Sequence, residues 1–441
     1  MDTKVVVIGG GPAAVQAALT ASMFSSDVTI ISQHVIGDWA KLGVSGIIID
    51  EINKPLPNWD RTVSDLDAKL HHWTNSMEAN ISEKHIKSFI GEVEFRSSHE
   101  LWFKPATDAA PFSVSFDKLF IAVGSSPVFA NGLEPDGIRI FSPAHMSSLK
   151  QLPQDIIVIG NGPIGFEYAN IFNQYGVNTT WLAPEQGPFT PFDSLIASYL
   201  TKRYIDQGIH IVNGPVVQHI EQIENKVNVH RQDGTVFEAD MAFVSIGFVS
   251  NLLKLNLEVL QLVVEQNGML QLDPFGQTSL NHIYVVGDAR YASSATLSMR
   301  QGRAAVLHAF GEHVAVPNYE TTPIIFNQHP QVAQVGMPHV VASDDIQSAV
   351  FDLHFKSFKT FISSQDEGVI KLYWKKDGTI VGATVIGDAA AEMITPLSLA
   401  IQMKAKVRDM ANFFAPHPSV AEVAFVICRE IDHIMRQNAA K

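Results

Sequence analysis

Two copies of one glycine pattern, 151 residues apart, constrain this 441-residue chain more than any other feature. VVVIGGGPAAVQAA runs from Val5 to Ala18 and IIVIGNGPIGFEYA from Ile156 to Ala169, so Gly9, Gly11 and Ala14 recur as Gly160, Gly162 and Gly165. Each copy reads as a short buried strand, a glycine turn and a helix start. The first glycine permits the tight turn, the second lets backbone approach a pyrophosphate, and the third small residue lets the helix pack closely on its strand. Phosphate is then received by free N–H groups of the helix start, where Pro12 and Ala13, and in the second copy Pro163 and Ile164, stand. The repeat extends to the next strand, since Val28–Ser32 lies at the same offset as Thr179–Ala183. One such turn is a weak signal; two in register predict two dinucleotide sites rather than a ligand-free scaffold.

With 46% hydrophobic residues the chain has material for two or three domains with full cores. Asp65 to Ser82 is expected to be helical, with Leu66, Leu70, Trp73 and Met77 on one side. His71 and His72 there point about 100° apart and lack further ligands at metal spacing, so no metal site is expected. Runs at 88–95, 101–103, 112–116 and 118–123 predict a β-meander returning to the parallel sheet. The second unit's crossover helix should stop at Gly176, and the unit continues through a helix at 194–207 to Ile246-Gly247. Ile283 to Asp288 reads as a third buried strand, whose terminal carboxylate either accepts cofactor hydroxyls or caps the next helix, 295–310. After Glu312 an α+β module begins, ending in an apolar helix from Val420 to Met435. The expected fold is α/β, with two Rossmann-like domains at 1–150 plus 271–315 and at 151–270, then a dimerisation domain at 316–441.

The formal net charge of −14, with no basic run, argues against nucleic acid as a partner. No apolar run approaches membrane-spanning length, so no integral membrane segment is expected. The short apolar run after Lys4 enters a glycine turn and is no signal peptide, which predicts a cytoplasmic protein. Cys428 is the only cysteine. It can form no intrachain disulfide, and among Val423, Phe425, Val426 and Ile427 it reads as an inert buried thiol.

The order of two Rossmann motifs, an AVGSSP strand end at Ala122–Pro127, a VVGDA strand end at Val285–Ala289 and an α+β tail resembles the pyridine nucleotide-disulfide oxidoreductase family. Dihydrolipoamide dehydrogenase, glutathione reductase and mercuric reductase are members. The resemblance covers nearly the whole chain and is sharpest at His417-Pro418-Ser419-Val420-Ala421-Glu422, which is similar to the family's HPTxxE. It implies FAD at the first motif, together with Ser32, Gln33, Ala122, Val123, Gly124, Gly287 and Asp288. It implies NADH or NADPH at Gly160 to Glu167, with Ala183 and Gly247 beside it. The tail would form a homodimer and carry His417 and Glu422 to the partner's flavin, the imidazole as acid/base and the carboxylate as its orienter.

Four departures alter the expected chemistry. The family's CxxxxC redox pair falls on Ala40 and Ser45, or on Lys41 and Gly46, so a thiolate relay to a disulfide substrate is excluded. The lysine that should follow falls on Ile49 or Asp50, which leaves Glu167 without its usual partner unless Lys41 substitutes. Ser32 and Ala183 stand where acids would hold the two adenosine riboses, and Pro184–Pro191 lacks arginines for a 2′-phosphate, so nucleotide preference is not legible. Phe248 replaces an arginine the family often has. These features imply a flavoenzyme that passes hydride from NAD(P)H to FAD and then to a small acceptor, a quinone being the favoured class, with His417, Glu422, Glu167 and Lys41 as candidate catalytic groups. A soluble transhydrogenase, and a nonenzymatic flavin- or nucleotide-binding dimer acting as sensor or assembly partner, are the alternatives.

Overall fold

The structure is a computed structural model that describes residues 2–38, 45, 48, 58–185, 187, 193–264, 269–291, 294–336, 345–354, 356–362 and 367–439. The first unit opens with β1 (Val5–Ile8), α1 (Pro12–Ala21) and β2 (Val28–Ser32), followed by α2 (Trp59–Glu83). β3 (Lys87–Ser97), β4 (Glu100–Pro105) and β5 (Phe112–Ser115) form an antiparallel meander, and β6 (Lys118–Ile121) returns to pair parallel with β1. α2 begins at Trp59 rather than at the expected Asp65. Asn58 caps it by accepting from Arg61 N, and Trp59 Nε1 donates to Leu149 O at 2.6 Å, which anchors a turn that periodicity alone does not reveal. Leu66 and Leu70 are buried as expected, but Trp73 is half-exposed.

The chain leaves this unit through β7 (Ser125–Pro127), and β8 (Ile140–Phe141), although early in sequence, joins the second sheet. There β9 (Asp155–Ile159), α3 (Pro163–Gln174) and β10 (Asn178–Ala183) repeat the opening βαβ, and Gly176 ends the helix with φ +82°. After α4 (Ser194–Asp206) come β11 (His210–Asn213), the antiparallel trio β12 (Val217–Ile223), β13 (Lys226–Arg231) and β14 (Val236–Ala239), then β15 (Met241–Val244). The second sheet has the order β11-β10-β9-β15-β8. β16 (Phe248–Ser250) runs antiparallel to β7, so the outgoing and returning chains form a two-stranded ribbon with Phe248 opposite Pro127.

β17 (Ile283–Val285) completes the first sheet, whose order is β17-β6-β1-β2-β3-β4-β5. The strand stops at Val285 instead of reaching Asp288, because Gly287 turns with φ +69° into a 3-10 segment. α5 (Ala295–Ala309) then lies against α1. A Cβ at Gly302 would meet Ala13 O at 2.3 Å, so this helix pair is close enough to demand glycine. The tail holds β18 (Ile324–Phe326), β19 (Val332–Gly336), β20 (Ile346–Asp352), α6 (Phe358–Ile362), β21 (Gly368–Lys375), β22 (Ile380–Gly387), α7 (Ala390–Gln402), α8 (Val407–Ala411) and α9 (Glu422–Ala439). Its strands make an antiparallel sheet ordered β18-β19-β22-β21-β20. This is the expected architecture of two Rossmann-like units with an α+β tail.

The tail is fastened to the second unit. Phe326, Val332 and Ile386 share one core with Phe166, Trp181, Leu200 and Phe243. Asp193 caps α4 while its carboxylate takes Lys371 Nζ at 3.1 Å and the Tyr373 hydroxyl. A nearly buried carboxylate thereby satisfies both a helix terminus and a cation, which offsets its loss of hydration. Among the described residues no helix is long and apolar enough to cross a membrane, and no cluster of His, Cys, Asp and Glu could hold a metal ion.

Candidate active site

The two glycine turns adopt the same geometry. Gly9 has φ +130° and Gly160 φ +129°, and a Cβ would meet Ala122 O at 2.1 Å in the first and Ser245 O at 2.2 Å in the second. Both positions require glycine for conformation and for space. Gly11 and Gly162 precede α1 and α3 as caps with no side-chain hydrogen bond, and a Cβ on either would meet nothing within 4 Å. The helix starts thus present open backbone, the arrangement that receives a pyrophosphate. Pro12 and Pro163 hold the first helical positions, where no N–H is missed. Ala13 and Ala14 are buried, and Gly165 sits where a Cβ would lie 2.4 Å from Gly160 O. Ile164 packs partly buried against the second core.

At the carboxyl edge of the first sheet, β6 stops at Ile121, short of the expected 123, and Ala122–Gly124 follows it beside Gly287-Asp288. The Asp288 carboxylate accepts from Ser125 Oγ at 3.3 Å and from Ser298 Oγ at 3.1 Å, and Gly287 N donates to Gln301 Oε1 at 2.8 Å. The carboxylate is therefore oriented by two hydroxyls at the edge where a cofactor hydroxyl would meet it. Ser125 and Ser298 escaped the sequence reading; the serine within AVGSSP was the available signal. Ser32 is buried with its Oγ accepting from His34 N at 3.4 Å, and Gln33 beside it is exposed.

Ala183, at the matching place in the second unit, is buried, and its carbonyl accepts from Arg231 Nη2 at 3.3 Å. The same guanidinium reaches Val212 O at 2.7 Å and Asn213 O at 3.2 Å. A cation thus braces the strand ends where an acid is missing, a feature the sequence did not signal because Arg231 comes from a distant hairpin. Gly247 has φ +139° and its carbonyl accepts Val128 N.

Glu167 projects from α3 and is 7% exposed. Asn327 N donates to its Oε1 at 2.8 Å, and the Ser45 hydroxyl bonds it too. Burial pushes the carboxyl up to about 7, against the opposing effect of those two donors. No lysine or arginine among the described residues pairs with it. Lys41, Ala40 and Gly46 lie outside the described residues; of the four candidates for the missing cysteines, Ser45 alone is described, and it meets Glu167. Asn327 was not anticipated.

In the tail His417 Nδ1 and Glu422 Oε1 are 2.7 Å apart, and Ser419 N donates to Glu422 Oε2 at 3.0 Å. Burial raises the Glu422 carboxyl, but the Ser419 N–H and the imidazole outweigh it and hold the group below the usual carboxylate range. The His417 side chain is 66% exposed, which leaves Nε2 available for proton transfer. Cys428 is buried in α9 with its thiol pushed up by burial to about 12, the inert state expected of it.

A fold of two nucleotide units with a HisGlu-bearing tail defines the class. The chain belongs to the pyridine nucleotide-disulphide oxidoreductase family, whose model matches residues 3–309, with the family's dimerisation domain matching 322–425. It is a flavin-dependent oxidoreductase, and family membership implies binding of FAD and NAD(P)H. With one buried cysteine in the sequence it lacks the redox pair and the disulfide relay. It is 25% identical to the NAD(P)H dehydrogenase (quinone) of Mycobacterium tuberculosis strain H37Rv, over 96% of this chain and 92% of that one. It is 24% identical to the dihydrolipoyl dehydrogenase of Geobacillus stearothermophilus, over 96% and 95%. The fold matches the crystal structure of LpdA from M. tuberculosis with a TM-score of 0.91, 24% identity and coverage of 97% and 99%. It also matches the HOCl-induced flavoprotein disulfide reductase RclA of Escherichia coli with a TM-score of 0.83, 21% identity and coverage of 96% and 98%.

Proposed function

We propose that this protein oxidises NADH or NADPH and delivers the two electrons to a small non-disulfide acceptor of the quinone class. One NAD(P)H, one quinone and one proton yield NAD(P)⁺ and one quinol. The observation that carries this reading is the intact His417–Glu422 pair, 2.7 Å apart, in a chain whose single thiol is buried and far from it in chemical role. Acid/base machinery kept without thiols suits an acceptor that needs protons rather than sulfur exchange. Resemblance to a relative named as a quinone dehydrogenase supports the acceptor class.

FAD, when bound, supplies the two-electron carrier between nucleotide and acceptor. Gly9, Gly11, Pro12, Ala13 and Ala14 would hold its pyrophosphate, with Ala122, Val123, Gly124, Gly287 and Asp288 beside its remaining length and Ser32 and Gln33 at its adenosine end. Gly160, Gly162, Pro163, Ile164 and Gly165 would hold the pyridine nucleotide, with Ala183 and Gly247 flanking it. His417 Nε2 gives a proton to the acceptor oxygen while Glu422 orients the ring and stabilises the imidazolium. In a homodimer, which the dimerisation domain supports, the pair would serve the partner's flavin. The domain division at 150, 270 and 315 and work in the cytoplasm belong to the same proposal.

An anaerobic titration of the purified protein with NADH and separately NADPH, following the visible flavin absorbance, tests it. Bleaching by either nucleotide and recovery on adding a quinone is the expected outcome. Recovery only on adding an oxidised nucleotide analogue would make the protein a transhydrogenase instead.

A further inference from the structure

The turn beside His417 is built inside out. In α6 and the residue before it, Ser357 and Thr360 are 4% and 1% exposed, whereas Phe358 and Ile362 are each 54% exposed. Small hydroxyl residues face inward and large apolar ones face outward, the reverse of a helix lying on a core. Ser357 Oγ donates to Ser419 O at 2.8 Å, and Thr360 Oγ1 donates to Ser357 O at 2.9 Å. The turn is thereby fastened to the loop that carries His417. Its outcome is a stack, with the Phe358 ring centroid 5.9 Å from that of the imidazole and the planes 25° apart.

The separation lies within the range that aromatic pairs prefer, and with Phe358 54% exposed the imidazole leaves much of the phenyl ring uncovered. A flat ring laid on its face would be nearly parallel to the imidazole. On the imidazole's side of the phenyl such a ring would also lie near the imidazole's own plane, and an imidazole N–H donates in that plane, towards the oxygens at such a ring's edge. The other ring nitrogen is already engaged by Glu422. We propose that Phe358 is the aromatic wall on which a planar acceptor is held beside His417, and that it sets the preference for quinone-like rings. The inference rests on the quinone reading.

The test compares Phe358→Leu, which keeps apolar volume but removes the flat ring, with Phe358→Tyr, which keeps the ring. Each holoprotein is assayed with a naphthoquinone and with ferricyanide, an acceptor that has no ring to stack. Binding of redox-inert 1,4-dimethoxynaphthalene is measured by calorimetry, and dimerisation by sedimentation. Losing one stacked pair should lower the naphthoquinone-to-ferricyanide ratio of kcat/KM about five- to tenfold in Phe358→Leu, mainly through the quinone KM, and weaken the naphthalene by a similar factor. Phe358→Tyr should restore both. If wild type reduces the quinone and Phe358→Leu leaves the ratio and the binding unmoved, the wall assignment is overturned. It is also overturned if Phe358→Leu depresses both acceptors equally or dissociates the dimer, since Phe358 is then packing. A wild-type flavin that nucleotide reduces but no quinone reoxidises removes the quinone reading itself.

Discussion

Replacing Glu167 with Gln should stabilise the protein at pH 8 and far less at pH 5, just above the unfolded carboxyl's pKa. The carboxyl is 7% exposed and its pKa rises from 4.5 to about 7, so the native state holds its proton more tightly than the unfolded chain does. A carboxyl with a raised folded pKa loses stability as pH climbs from its unfolded value through its folded one, here from about 4.5 to about 7. At about 1.4 kcal/mol per unit, the full loss is roughly 3 kcal/mol above pH 7. Glutamine matches the neutral acid in shape and can still accept from Asn327 N and Ser45, so it avoids that loss. Urea unfolding of wild type and Glu167→Gln at pH 5, 6, 7 and 8 reads the difference, which should open progressively with pH in favour of the variant. Ser45→Ala removes a donor that favours the charged form, so the opening should begin at the same pH but continue to higher pH and end larger. A stability difference that is flat with pH, or wild type the more stable at pH 8, refutes the account of Glu167 as a carboxyl whose proton is held by burial.

Gly302→Ala should cost about 1–3 kcal/mol, because the new Cβ meets the Ala13 backbone and drives α5 from α1; flavin content per chain and urea midpoint should both fall. His417→Gln should cut quinone turnover at least about a hundredfold while flavin bleaching by nucleotide keeps its rate, measured by stopped flow. Glu422→Gln keeps a bond to Nδ1 but removes the charge, and turnover should fall about tenfold. Ala183→Glu restores a carboxylate at the ribose end of the second unit and repels a 2′-phosphate, so the NADH-to-NADPH ratio of kcat/KM should rise about tenfold in steady-state assays.

Gly9 and Gly160 were legible because each answers to a local rule, a backbone conformation and a close approach that only glycine meets. The order of strands and helices followed from period and punctuation for the same reason. So did the loss of the disulfide relay, which needs only the count of cysteines. The start of α2 at Trp59 was not legible, since it depends on Leu149 O, ninety residues away. Nor was the bracing of Ala183 by Arg231, or the orientation of Asp288 by Ser125 and Ser298, because side-chain partners from remote segments leave no periodic trace. The sequence identified Glu167 and noted the missing lysine at its side. Only the tertiary structure brought Asn327 N and the Ser45 hydroxyl to that carboxyl, because both donors come from segments remote in sequence. In the same way HPSVAE announced an imidazole and its carboxylate, but the aromatic turn stacked on that imidazole exists only once residues sixty positions apart are folded together.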